Sequence, residues 1–397
     1  MLNVKKGGKL KPPFFFIFVS FGRNLGKNVE VWEKINKTKE EDYLMSRKWL
    51  ALFLVLILTV SVFSACTSND EPADAPSGEE TEEPADEPEE EPVRVTMITD
   101  TGGLGDESFN DSAYAGLVNA EEEFGVEVSV LESQTADDYG PNLSAAAEEG
   151  ADLIVSVGFL MQSATAEAAA QFPEQKFAII DEVVDAPNAA GLTFKEHEGS
   201  FLTGVIAGLM TETDKVGFVG GMQFALIEKF QYGFEAGVKA VNPDAEIIVN
   251  YTGAFDNPQL GKENALAQNQ AGADVIYHAS GACGIGVIEA AGEQGFWAIG
   301  VDMDQSALDP EHVLCSMIKR VDNATYLATK AVVDETFDGS NLVFGLAEEG
   351  VGYSDDAGNV PAEIAEMAEN YKAAIIDGVF EVPYDKETFD AFEIPEI

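Results

Sequence analysis

Three aspartates in this chain each close an apolar, β-branched run: Asp100 follows residues 93–99, Asp181 follows 176–180 and Asp302 follows 298–301. A carboxylate held at such a point is a fixed acceptor for hydroxyl or N–H groups. Aromatic residues stand in three of the segments that follow apolar runs, Phe109, Phe159 and Phe255, and their faces suit a flat ring. Asn110 adds an amide beside the first ring, and Gly281 lies in a further segment of the same kind, residues 280–284. Such a set can hold a planar, hydroxylated small molecule by stacking and hydrogen bonding.

Positioning these groups requires strand-to-helix loops. The stretch 100–110, D-T-G-G-L-G-D-E-S-F-N, lies between an apolar run and apolar positions at helical spacing, Ala113, Tyr114, Leu117, Val118 and Phe124. Its glycines permit a tight turn, while Ser108, Asn110 and Asp111 are residue types that cap a helix start. The alternation continues: strands are predicted at 93–99, 127–131, 152–157, 176–181 and 191–194, with helices near 111–124, 136–149, 161–171 and 197–210. A second series has strands at 215–219, 246–251, 274–279 and 298–302, with helices near 225–241, 258–271 and 284–294. A strand at 312–319, a helix at 321–337, an extended piece at 341–353 and a helix at 361–377 complete the chain.

Regular βα alternation implies parallel sheets covered on both faces. Residues 93–397, 305 in number, are more than one core usually holds. The expectation is therefore an α/β protein of two lobes, the first about 93–210 plus about 306–338 and the second about 211–305 plus about 339–397. Open sheets of this kind bind ligands beyond the carboxyl ends of their strands, where the residues named above fall.

Several segments resemble the basic membrane protein family, the substrate-binding lipoproteins of ABC transporters that act as purine nucleoside receptors. Residues 100–110 fit its D-x-G-x-x-x-D-x-S-F-N opening. Residues 220–234 fit G-G-M-x-x-x-x-I-x-x-F-x-x-G-F, 299–305 fit I-G-V-D-x-D-Q, and 316–322 fit its S-x-x-K-x-V-D segment. Residues 278–286 are similar to H-A-A-G-G-T-G-x-G, with Ser280, Ala282 and Cys283 as departures. The resemblance implies a two-lobed type I periplasmic-binding-protein fold, each lobe a parallel sheet flanked by helices, with the ligand cleft between lobes. It also implies a purine nucleoside, such as guanosine, inosine or adenosine, stacked between Phe109 and Phe255. Ribose contacts would come from Asp100, Asn110, Gly281, Asp302 and Lys319, and the base contact from Asp181. Phe230 reads as helix-packing core rather than a ligand contact.

Upstream, residues 1–44 read as neither signal nor domain, and Met45 is the expected start. Residues 45–65 have the charged, apolar and small-residue regions of a signal peptide. Ser64 and Ala65 before Cys66 are similar to a lipoprotein cleavage site, which would make Cys66 the lipidated first residue of the mature protein and anchor it to the extracytoplasmic face of the cell membrane. Phe63 departs from the usual Leu. The stretch 67–92 carries twelve acidic side chains and no basic one, the composition of an extended linker.

The whole chain has a net charge of −48. Setting aside the leader's five acids and eleven bases and the linker's twelve acids, 93–397 retains 54 acidic against 12 basic side chains. Nucleic acid and anionic membrane surfaces, which need a basic face, are poor partners. Cys283 and Cys315 read as buried free thiols, their pairing left open by the sequence. No G-x-S-x-G, H-E-x-x-H or P-loop pattern appears, and Asp302-x-Asp304 lacks the further ligands of a metal site. With three histidines in all, little acid–base chemistry is available. The expectation is a monomeric, cofactor-free binding protein that delivers its ligand to ABC permease and ATPase subunits. The alternatives are a surface receptor or adhesin using the same fold, and a nucleoside-cleaving hydrolase.

Overall fold

The computed structural model describes residues 91–394 and 397; the expected extension, the signal-like segment, Cys66 and nearly all of the acidic linker lie outside the described residues. The first series forms β1 (Arg94–Ile98), α1 (Phe109–Phe124), β2 (Glu127–Leu131), α2 (Tyr139–Glu148), β3 (Leu153–Val157), α3 (Gln162–Gln171), β4 (Lys176–Ile180) and β5 (Ala189–Phe194). The second forms α4 (Glu196–Met210), β6 (Lys215–Gly220), α5 (Ala225–Val241), β7 (Glu246–Tyr251), α6 (Pro258–Gln270), β8 (Val275–Ala279), α7 (Cys283–Gln294), β9 (Trp297–Asp302) and β10 (Val313–Lys319). The rest comprises α8 (Val321–Val333), β11 (Leu342–Phe344), β12 (Val351–Ser354), α9 (Ala362–Ile376) and α10 (Lys386–Asp390).

Two six-stranded sheets result, in the orders β11-β5-β4-β3-β1-β2 and β12-β10-β9-β8-β6-β7. Every residue of β3 and of β8 is buried, as a central strand with helices on both faces must be. Each fully buried Val, Ile or Leu in such a strand contributes on the order of 1.5–3 kcal/mol. All pairings are parallel except β10 with β12, which is antiparallel. Cys283 and Cys315 are buried and unpaired, as expected.

The division between lobes differs from the expected one in three places. Helix α4 packs on α5, β10 and β12, so it belongs to the second lobe and not the first. Strand β10 extends the second sheet beside β9, although residues 306–338 were expected in the first lobe. The extended piece at 341–353 divides: β11 joins β5 in the first sheet, and β12 joins β10 in the second. Helix α8 does return to the first lobe, where Thr325 Oγ1 donates to the Ala113 carbonyl of α1 at 2.9 Å. The chain thus crosses between sheets three times, after Phe194, after Lys319 and after Phe344. Hydrophobic periodicity identifies a strand but not the sheet edge it joins, which is why these assignments escape the sequence.

Candidate ligand-binding site

The 100–110 loop is shaped by carboxylates folded back on its backbone. Asp100 Oδ1 accepts from the Gly102 amide at 2.8 Å and from Asn110 Nδ2 at 2.8 Å. Asp106, buried, accepts from the backbone N–H groups of Ser108 (3.0 Å), Asn110 (2.8 Å) and Asp111 (3.1 Å), and from Asn110 Nδ2 (3.0 Å). It therefore caps α1, a role the sequence assigns to Ser108, Asn110 or Asp111. Ser108 makes no side-chain cap bond and instead donates from Oγ to Asp302 Oδ2 at 2.5 Å, across the cleft. A second bond crosses the other way, from Gln305 Nε2 to the Glu107 carbonyl at 2.8 Å.

Asp181 and Asp302 follow or end their strands in the left-handed region, at φ 70° and 68°. Aspartate tolerates that conformation better than most residues, and strain of this kind persists where the surroundings fix it. Gln305 supplies part of that fixation below Asp302, since its Oε1 accepts from the Val301 amide at 2.9 Å and lies 2.9 Å from His278 Nε2. In the same lobe, Asn257 caps α6 by accepting from the Gln259 amide at 3.1 Å, with Pro258 in the first turn. This orders the loop carrying Phe255. Gly221 then lets the ring approach, because a Cβ there would sit 2.1 Å from Phe255 Cε1. Gly158, at φ 118°, leads Phe159 out of β3 in a conformation that side chains avoid.

All nine residues predicted to meet a ligand line one chamber between the lobes: Asp100, Phe109, Asn110, Phe159, Asp181, Phe255, Gly281, Asp302 and Lys319. The space measures about 580 Å³ when the open solvent at its mouth is included. Asp106, Leu226, Ile227, Phe230 and Ser280 complete the polar and apolar lining that matters here. Phe230 is buried core, as expected, and also faces the chamber. The Phe159 ring meets Phe255 edge-on at 6.4 Å and Phe224 at 5.2 Å. Phe224, 42 % exposed just before α5, was not anticipated; a lone Phe after Gly220-Gly221-Met222-Gln223 offers no periodic signal.

Lys319, an expected ribose contact, is paired with Asp181, the expected base contact. Its Nζ is 2.6 Å from Asp181 Oδ2 and 3.4 Å from Glu196 Oε1, and it stands 5.1, 5.0 and 5.5 Å from the ring centres of Phe109, Phe194 and Phe230. Glu196, 0 % exposed, also pairs with Lys229 at 3.1 Å. Burial works to lower the Lys319 pKa, and Asp181, Glu196 and Asp302 outweigh it and hold the group above its ordinary value. Glu196 opens the helix after one crossing and Lys319 precedes another, so this buried cluster joins the chamber floor to the connections between lobes. Glu196 carries no signal in the sequence, because pairing with distant lysines leaves no local pattern.

Burial sets the acidity of the chamber. It pushes Asp100 up to about 6 against the bonds from Asn110 and Gly102. It pushes Asp302 up to about 7 against Lys319 and Ser108, and raises Asp181 despite the adjacent Lys319. His278 does not line the chamber, and burial lowers it to about 4, leaving it neutral. Aromatic walls, carboxylates that accept hydrogen bonds when ionised and one committed ammonium fit reversible capture of a planar molecule bearing hydroxyl or N–H donors.

Residues 93–386 match the family model described as Bmp, ABC transporter substrate-binding protein PnrA-like. The CD4+ T-cell-stimulating antigen of Listeria innocua is 37% identical over 363 residues, covering 85% of this chain and 99% of that protein. The ABC transporter nucleoside-binding protein BmpA of Lactococcus lactis is 33% identical over 362 residues, with the same two coverages of 85% and 99%. The crystal structure of an ABC transporter solute-binding protein from Aeropyrum pernix K1 superposes with a TM-score of 0.69 at 34% identity, covering 76% of this chain and 96% of that one. The two parallel-sheet lobes are those of the type I periplasmic-binding-protein fold, as the sequence led us to expect.

Proposed function

The chain belongs to the Bmp family of ABC transporter substrate-binding proteins, and from that premise we propose that it captures purine nucleosides outside the cell for an ABC importer. The observation that carries this reading is the lining of the chamber, in which aromatic rings share one space with three buried strand-end carboxylates. A purine offers the flat surface that Phe109, Phe159 and Phe255 can stack on or flank. Vicinal ribose hydroxyls offer donors to Asp100 and Asp302, and a ring N–H offers one to the free oxygen of Asp181. Gly281 brings backbone close to the sugar, and Asn110 and Lys319 hold the carboxylates in place. A phosphate would enter an already negative chamber whose only lining cation among the described residues, Lys319, is bound to Asp181 and Glu196.

Lipid attachment at Cys66 and partnership with a permease and an ATPase are part of the same reading, the first supported by the sequence before Cys66 and the second by the family. Calorimetric titration with guanosine, inosine, adenosine, their monophosphates, cytidine and ribose tests the ligand. Purine nucleosides should bind and monophosphates should be far weaker. Stacking on an aromatic side chain contributes roughly 1–3 kcal/mol per base, so Phe109→Ala and Phe255→Ala should each weaken binding by about tenfold. Equal affinity for the monophosphates, or normal binding by both variants, would remove the assignment.

A further inference from the structure

The chamber is rich in acceptors and short of free donors. Asn110 has both amide hydrogens committed, to Asp100 Oδ1 and Asp106 Oδ2. Lys319 is engaged by Asp181 and Glu196 and enclosed by three aromatic rings. Asp100, Asp106, Asp181 and Asp302, when ionised, can only accept. One lining side chain stands apart. Ser280, in the segment between β8 and α7, is 1 % exposed, and its hydroxyl has no hydrogen-bond partner among the described residues. A buried hydroxyl without a partner is unfavourable, and native structures seldom retain one without a reason.

A ligand of the class proposed above carries ring nitrogens and oxygens that accept hydrogen bonds, and these need a donor in the chamber. We infer that Ser280 is a further ligand contact, its hydroxyl donating to an acceptor atom of the bound nucleoside; the inference rests on the nucleoside reading. The position is also one at which this chain departs from the pattern its 278–286 segment otherwise resembles.

The test is the variant Ser280→Ala, with two measurements on the full protein. Titration with guanosine and inosine should show affinity two- to tenfold weaker than wild type, the range expected for loss of one neutral hydrogen bond. The melting temperature of the ligand-free variant should be unchanged or higher, because an unpartnered buried hydroxyl has been replaced by a methyl group. A purely structural serine behaves oppositely, lowering the melting temperature. Unchanged affinity, or a loss of affinity that accompanies a lower melting temperature in the free protein, overturns the inference while leaving the nucleoside reading intact. A wild-type protein that binds none of these nucleosides overturns the reading itself and this contact with it.

Discussion

At the scale of single residues, the chamber's carboxylates act by being accessible to a ligand yet hard to ionise. Asp302 is pushed up to about 7 and Asp100 to about 6, chiefly by burial. A ligand that donates hydrogen bonds to these groups favours their ionised forms and lowers both pKa values in the complex. Binding should therefore release protons between about pH 5 and 7, so affinity rises with pH through that window and levels off above it. Affinity for guanosine at pH 5 should be at least about fivefold weaker than at pH 7.5. Calorimetry at pH 6.5 in buffers of different ionisation heats should report net proton release; pH-independent affinity or net uptake would contradict this chemistry. The three aspartates were legible in the sequence because each closes an apolar run. Their acidity was not, since it depends chiefly on burial in the folded chamber and then on Lys319 and Glu196 arriving from other segments.

Between elements, the reciprocal bonds Ser108 to Asp302 and Gln305 to Glu107 hold the two lobes together beside the chamber. Both involve the loops after β1 and β9, so closing the lobes aligns Asp100 and Asn110 on one side with Asp302 on the other. A hydrogen bond to an ionised group contributes roughly 1.5–3 kcal/mol. Ser108→Ala should accordingly speed nucleoside dissociation by about tenfold or more in stopped-flow traces, with association little changed. It should also move the pH midpoint of binding upward, because the Ser108 bond helps keep Asp302 ionised. Matching dissociation rates and matching pH profiles in variant and wild type would show that the bond carries no load. The strands and helices that meet here were predicted to within a few residues. The places of the crossings were not, because the apolar pattern marks residues 313–319 and 342–344 as extended without showing which sheet each joins.

For the molecule as a whole, charge is the dominant electrostatic term. Residues 93–397 hold 54 acidic and 12 basic side chains, so even if every base were paired, 42 carboxylates would have no cationic partner. Ion pairs do form, among them Lys215 with Glu246 and Lys262 with Glu293, both at 2.8 Å. Exposed pairs contribute about 0–1 kcal/mol each, and salt weakens them. Repulsion among the unpaired majority is weakened by the same salt, and its greater number decides the sign: added salt should stabilise the fold. The Debye length falls from about 10 Å at 0.1 M to about 3 Å at 1 M, so most of the gain should come early and then flatten. Thermal melts of the tag-free protein from 0.05 to 2 M NaCl should show a midpoint that climbs steeply to about 0.5 M and levels off. A rise that stays linear to 2 M would point to salt exclusion from the surface rather than screening. A flat or falling midpoint would mean that the paired minority outweighs the unpaired carboxylates.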